Sequence, residues 1–543
     1  MSDSNKFLRG TMILSLSQFL SKFLGMIYVF PFVAMVGQQG MALYQYGYQP
    51  YTILLSLATL GVPMAVSKFV SKYNALGDYR TGQRLFKSGL IIMTITGFFA
   101  FMLLFFLAPA IAGLIIQNPD ELNGNALTDV VFTIRMVSVA LLLIPAMSVF
   151  RGYFQGYQSM GPTAVSQVVE QIIRIGFILT MTFAILNIFN GERATAIGFA
   201  TFGAFIGGLG ALAVLLYFWK KRKHVMQAEI EQSATDHDIP LKSMYKELVL
   251  YALPLSFVGL AIPLFQMIDL FTFNNALIAT EEFSQGEAET AYGVFSGSAH
   301  KLILIPVAIA TAMSVTLIPT ITNSFTSGDK PLLQRQITQT YQVILFLAIP
   351  AAAGLMVLSY PTFAILFGLG DLELGGTILR YYAPAAIMFS LFSVTAAILQ
   401  GINRQKYAVL SLIAGLIVKM ASAYGFLYIM GPIGGSFSTM AGYSAALVIN
   451  IWAIGRFAEF DYGKIKKRAL LIVGLSLGMA ASVIVVKEGA MTLFPLDSWM
   501  NAFFVELFSV ITGVGFYFIL SVKTGLAGIV LGDRFSILKK RKT

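Results

Sequence analysis

The chemistry available to this chain sits in charged side chains placed inside long apolar stretches. Six are basic (Lys22, Arg135, Arg174, Lys301, Arg380 and Lys419) and three are acidic (Glu170, Asp269 and Glu506). An ion at the centre of a bilayer costs about 2.5–3.5 kcal/mol on insertion scales. Such groups therefore face a polar interior, pair, or reach the membrane surface. The excess of cations predicts a net-positive central cavity, which suits an anionic cargo and repels organic cations. Lys22 lies roughly 20 Å along its helix, at 1.5 Å per residue, too deep for its stem to reach either surface easily. Lys301 and Lys419 are similarly central. Arg135, Arg380 and Glu506 lie near the outer ends of their segments and are expected to snorkel. Glu170 precedes Arg174 by four residues, the favourable order for an intrahelical pair; a ligand site there is the alternative. Asp269 is a candidate bridge to Lys419, whose alternative is to join Arg174 in the cationic cavity.

Catalysis has no visible basis. Neither a nucleotide-binding G-x-x-x-x-G-K-[ST] nor H-E-x-x-H nor G-x-S-x-G occurs. The chain has no cysteine and three scattered histidines, His224, His237 and His300. No metal site and no cofactor are expected.

The elements that must position these charges are membrane helices. Of the 543 residues, 57% are hydrophobic and only 12% charged, with a mean hydropathy of +0.76. That excludes an ordinary soluble enzyme and a disordered chain. About fourteen stretches are long and apolar enough to cross a bilayer, the first at 9–36 and 43–67 and the last at 469–487 and 499–522. The reading is an all-α polytopic membrane protein: an N-lobe over 1–219, a cytoplasmic linker over 220–246, a C-lobe over 247–460, and a final helix pair with a basic tail over 461–543. The two six-helix lobes are expected to be pseudo-symmetric. Phe154-Gln155-Gly156 recurs as Leu399-Gln400-Gly401, and the same offset carries Arg174 onto Lys419. Paired six-helix halves are a transporter signature.

Basic residues cluster at the two ends and in alternate gaps, for example Lys68, Lys72, Arg80, Arg84 and Lys87, Lys220 to Lys223, Lys464 to Arg468, and Lys539 to Lys542. The opposite gaps are acidic, with Asp120, Glu121, Glu281, Glu282, Glu287 and Glu289. The rule that cytoplasmic flanks are basic predicts a multi-pass cell-membrane protein with both termini cytoplasmic. It also assigns the net charge of +11 to anionic lipid heads, with no nucleic acid implied. Tyr44, Tyr46, Tyr48 and Tyr51 are expected at the outer interface as an anchor, with sugar contact as the alternative. The series Gly203, Gly207, Gly208 and Gly210 is expected to allow close helix packing.

In its helix number, paired halves and cationic cavity the chain resembles the multidrug/oligosaccharidyl-lipid/polysaccharide exporter superfamily. Within it, the sequence is similar to the MurJ-type lipid II flippases in their Gram-positive form, close to the stage V sporulation protein B group. Ser21-Lys22-Phe23-Leu24-Gly25 stands where that family carries S-R-x-L-G, with Tyr28 at its second arginine. Ala299-His300-Lys301-Leu302, followed by Pro306, stands where it carries A-D-R-L. Arg151-Gly152-Tyr153-Phe154-Gln155-Gly156 is typical of the Gram-positive group. The resemblance implies a flippase that moves an undecaprenyl-pyrophosphate-linked peptidoglycan precursor, lipid II, by alternating access. It implies substrate contacts at Lys22, Lys301, Tyr28 and His300 and a coupling role for Asp269; the charge pattern adds Arg174 and Lys419 as substrate contacts and Glu170 as a structural partner. Expected partners are the lipid-linked glycan, membrane lipids and the cell-wall synthesis machinery, with the chain itself a monomer. Alternatives are a flippase for a teichoic, capsular or sporulation-specific glycan lipid, and a membrane-embedded glycosyltransferase, for which the outer loops are short.

Overall fold

The computed structural model describes residues 3–59, 61–116, 124–233, 245 and 256–531. Asp120, Glu121, Pro254, residues 234–244 and 246 of the linker and the basic tail Lys539 to Lys542 lie outside them. Every long regular element among the described residues is a helix: α1 (Asp3–Ile27), α2 (Val29–Thr59), α3 (Val62–Ala75), α4 (Tyr79–Ile115), α5 (Leu127–Ser138), α6 (Ile144–Gly156), α7 (Met160–Phe183), α8 (Arg193–Glu231), α9 (Ala261–Ile278), α10 (Gln285–Tyr292), α11 (His300–Thr326), α12 (Lys330–Val357), α13 (Ser359–Phe367), α14 (Leu372–Tyr382), α15 (Ala385–Gly401), α16 (Gln405–Met430), α17 (Gly434–Phe457), α18 (Gly463–Leu493), α19 (Trp499–Lys523) and α20 (Leu526–Leu531).

Twelve helical stretches among these residues are long and apolar enough to cross a membrane. Two of them, Leu16–Ala75 with 60 residues and Gln405–Phe457 with 53, each run over two segments expected from the sequence. At 1.5 Å per residue the first is roughly 90 Å long, three times a hydrocarbon core. It therefore has to break. Gly37 inside α2 has φ 73°, ψ 175°, a conformation open to glycine because it has no Cβ. That residue falls in the gap the sequence places between its first two segments.

The chain divides into two compact units, Met1–Phe271 and Thr272–Thr543. In the first, α7 packs along α8 and against α1, while α3 packs on α6. A Cβ on Gly207 of α8 would come within 2.8 Å of Arg174 Cβ and of the Glu170 carbonyl oxygen. The glycine series thus holds α8 against the turn of α7 that carries both charges. In the second unit α16 pairs with α17, α11 with α15, and α12 with α18 and, through it, α19.

The internal repeat is visible in local geometry. α6 ends at Gly156 and is closed by Ser159 N donating to Phe154 O at 2.9 Å, with Gln158 at φ 54°. α15 ends at Gly401 and is closed by Arg404 N donating to Leu399 O at 2.7 Å, with Asn403 at φ 56°. Both are left-handed helix stops with orphan carbonyls satisfied by the following turn. Arg174 and Lys419 then occupy matching positions in α7 and α16, the helices that follow.

Candidate functional site

In the first unit the cationic site centres on Arg174. Tyr44, Tyr48 and Tyr51 lie four and three residues apart on α2, so their rings share one face, and that face meets α7. The Arg174 guanidinium lies over the Tyr48 ring, 5.0 Å from its centroid, and one terminal nitrogen donates to Tyr44 Oη at 3.2 Å. Tyr44 in turn shares a hydrogen bond with Tyr28 Oη at 3.2 Å and stacks on Tyr48. Arg174 Nε is buried without a hydrogen-bond partner. The cage therefore holds the cation by ring faces and a phenol while adding no negative charge to cancel it. Unused N–H groups stay free for an anion.

This corrects the outer-interface reading of the tyrosines. Tyr44, Tyr46 and Tyr51 are at most 2% exposed; they pack inside the unit instead of anchoring it to head groups. Glu170 also departs from the i,i+4 pair with Arg174. Its carboxylate takes the Arg151 guanidinium at 2.6 Å, and Arg151 Nε donates to Ser166 Oγ at 3.0 Å. Arg151 belongs to α6, so the pair ties α6 to α7. It was invisible in the sequence because Arg151 reads there as an ordinary basic flank. Glu170→Gln is expected to cost about 1–3 kcal/mol of stability, the range for a polar group losing a partly buried charged partner. Thermal unfolding in detergent measures it, and Arg151→Met combined with Glu170→Gln should cost less than the sum of the single changes.

Lys22 lies on α1, which packs on α7. It is exposed, and among the described residues its ammonium has no hydrogen-bond or ion-pair partner. A lone ammonium on a membrane helix has to meet water or an anion, because acyl chains offer it nothing. Arg135, by contrast, does not stand free: its guanidinium lies 4.8 Å from the Phe105 ring centroid and Nε approaches Phe105 O at 3.4 Å. Arg380 is exposed. Asp269 is buried on α9, at 1% exposure.

In the second unit a π-helical segment, Gly293–Ala299, joins α10 to α11. Wide turns of this kind re-aim the side chains that follow and are frequent at functional sites. The residues that follow are His300 and Lys301. His300 is buried, and its Nδ1 lies 3.0 Å from Tyr382 Oη. Tyr382 stacks on Phe295 with centroids 4.5 Å apart. Lys301 is half-buried. Lys419 is fully buried, and Nζ donates to Thr439 Oγ1 of α17 at 2.7 Å. Lys301 and Lys419 are both within electrostatic reach of the His300 ring. The sequence offered no signal for the π segment, for Tyr382 or for Thr439.

Glu506 does not snorkel as expected. Its Oε1 accepts from Thr362 Oγ1 of α13 at 3.0 Å, and Oε2 is buried without a partner. Among the described residues no group of three or more His, Cys, Asp or Glu side chains could hold a metal ion.

The comparisons agree with this architecture. The family model described as polysaccharide biosynthesis protein matches residues 7–325. The chain is 46% identical to the lipid II flippase MurJ of Bacillus subtilis (strain 168), over 98% of both chains. It is 23% identical to the stage V sporulation protein B of the same organism, over 91% of this chain and 93% of that one. Among solved structures, a lipid II flippase MurJ in an inward closed conformation superposes with a TM-score of 0.65 at 14% identity, covering 94% of this chain and 99% of that one.

Proposed function

Because the chain belongs to the polysaccharide biosynthesis protein family, on the branch of the MurJ lipid II flippases, we propose that it flips lipid II from the inner to the outer leaflet of the cell membrane. It is a transporter and not an enzyme. The observation that carries this reading is the near-complete relationship to the B. subtilis flippase, joined to cations at the motif positions Lys22 and Lys301. The cargo head group is large, polar and doubly charged at its pyrophosphate; the polyprenyl tail can stay in lipid. Lys22 and Arg174 are the cations that the first unit offers to the pyrophosphate, and Lys301 is the one that the second offers. Lysine meets phosphate as a point charge, without the bidentate fork of arginine, so the grip is electrostatic. His300, fixed by Tyr382, and the buried Lys419 hold the second-unit site in shape. Tyr28 does the same for Arg174 through Tyr44. The head group moves by alternating access, and the chain works as a monomer beside the cell-wall synthesis machinery.

Both termini are cytoplasmic in this reading. The absence of cysteine makes the test direct, since a single introduced thiol is the only one to label. Glu282→Cys should react with a membrane-impermeant maleimide in intact cells. Ser327→Cys should react only after permeabilisation. The reverse pattern would overturn the orientation.

The relationship to the stage V sporulation protein B makes a different glycan lipid the second reading. Depletion separates them: unchanged lipid II with loss of another polymer favours that second cargo.

A further inference from the structure

A second cationic site lies in the unit Thr272–Thr543, away from the residues assigned to the cargo. The N-terminal turns of α12 and α18 flank an open cavity of about 710 Å³, lined by Lys330, Gln334, Arg335 and Gln342 from α12 and by Lys464 and Arg468 from α18. No carboxylate lines it. Three acids flank it, each already engaged: Glu459, whose Oε2 takes Lys330 Nζ at 2.9 Å in an exposed pair, Asp461, which accepts from Gly463 N at 2.9 Å, and Asp329, which caps α12 by accepting from Leu332 N at 2.9 Å. An exposed pair of that kind adds little stability and leaves Arg335, Lys464 and Arg468 unneutralised.

The inner wall carries unspent hydrogen-bonding capacity. Gln342 is 2% exposed, yet its Nε2 has no partner. Gln334 donates through Nε2 to Ala458 O and Glu459 O at 2.9 and 3.0 Å, while its Oε1 is buried without one. Buried polar groups left in this state are costly, and a ligand or ordered water normally satisfies them. The cavity runs from Lys330 to Gln342, roughly 18 Å along α12 at 1.5 Å per residue. It is a built recess, deeper than a charged rim.

We propose that this recess binds the phosphodiester head group of an anionic membrane phospholipid. Arginine and lysine at its mouth take the phosphate, and the two glutamines take the polar head, by Gln342 donating and Gln334 accepting. A lipid is favoured over a free anion because an apolar wall continues from the mouth. Leu471 and Leu475 of α18 lie three and seven residues beyond Arg468, on the same helix face; Leu471 is 38% exposed and Leu475 partly buried, and an acyl chain would lie along them. Basic pockets between membrane helices are suited to such head groups.

The test titrates the purified full-length protein in a neutral detergent with short-chain phosphatidylglycerol, phosphatidylcholine or inorganic pyrophosphate, reading the thermal unfolding midpoint. Phosphatidylglycerol should raise the midpoint saturably, and the other two should not. Arg335→Gln with Arg468→Gln should raise the half-saturating concentration roughly 30-fold, on the order expected from removing two cations near a lipid phosphate. Lys466→Gln with Lys467→Gln removes the same charge from α18 outside the recess and should change it less than about three-fold. Lys464→Gln, at an exposed position, replaces the double variant if that one fails to accumulate and should raise the value several-fold. Equal losses in the pocket and control variants, an equal response to pyrophosphate, or no response to phosphatidylglycerol would each overturn the proposal.

Discussion

Lys301→Ala and Lys22→Ala are each expected to abolish complementation of a strain depleted of its lipid II flippase, while Lys→Arg at either position is tolerated. A charge-assisted hydrogen bond is worth about 1.5–3 kcal/mol, so losing one at the cargo phosphate slows transport roughly ten- to hundred-fold. Failure to insert is not the expected cause, because removing an intramembrane charge makes insertion easier by about 2.5–3.5 kcal/mol. Immunoblots of the membrane fraction should therefore show normal amounts of the alanine variants. The two positions differ in support. Lys22 is exposed and without a partner among the described residues; Lys301 directly follows the π segment and the pinned His300. Full growth of either alanine variant at native expression would remove that residue from the site.

The second large effect concerns the tyrosine cage. Arg174→Lys keeps the charge but loses the planar stack on Tyr48 and the reach to Tyr44. A cation–π contact is worth about 0.5–2 kcal/mol, the higher value when desolvated. Transport in proteoliposomes should fall about ten-fold in Arg174→Lys, and about as far in Tyr48→Leu, which removes the ring and leaves the arginine. Tyr48→Phe keeps the ring face and should stay near the wild-type rate. Equal losses in Tyr48→Phe and Tyr48→Leu would show that the hydroxyl matters and the ring does not. Arg174→Ala should cost stability as well, since the buried Tyr44 then loses its donor.

Much of this architecture was legible in the sequence because membrane helices announce themselves by length and hydropathy. The repeat was legible too, since two Gln-Gly dipeptides mark two helix ends that turn out to be closed by the same left-handed stop. What stayed hidden was partner choice. The Glu170–Arg174 spacing is a true helix neighbour relation, but Arg151, nineteen residues upstream of Glu170, offers a shorter contact from another helix. Local spacing cannot report that competition. The tyrosines were misplaced for a different reason. Aromatic residues near a helix end suggest an interface belt, yet Tyr44, Tyr48 and Tyr51 share one face, and a one-faced stripe signals packing against a partner helix. Glu506 read as a surface group because its depth permitted snorkelling; the hydroxyl of Thr362, far away in the chain, draws it inward. The π segment before His300 has no proline, and its two glycines, Gly293 and Gly297, loosen a helix without saying that its turns widen.

The most direct test of flipping is the leaflet position of lipid II when the protein is withdrawn. Cells depleted of the protein, with other lipid II flippases absent, are treated with a membrane-impermeant enzyme that cleaves lipid II only from outside. The account predicts that total lipid II rises while the externally cleavable fraction falls toward zero. It also predicts that wild-type protein restores that fraction within a generation, whereas Lys301→Ala does not. An externally cleavable fraction unchanged by depletion would contradict it.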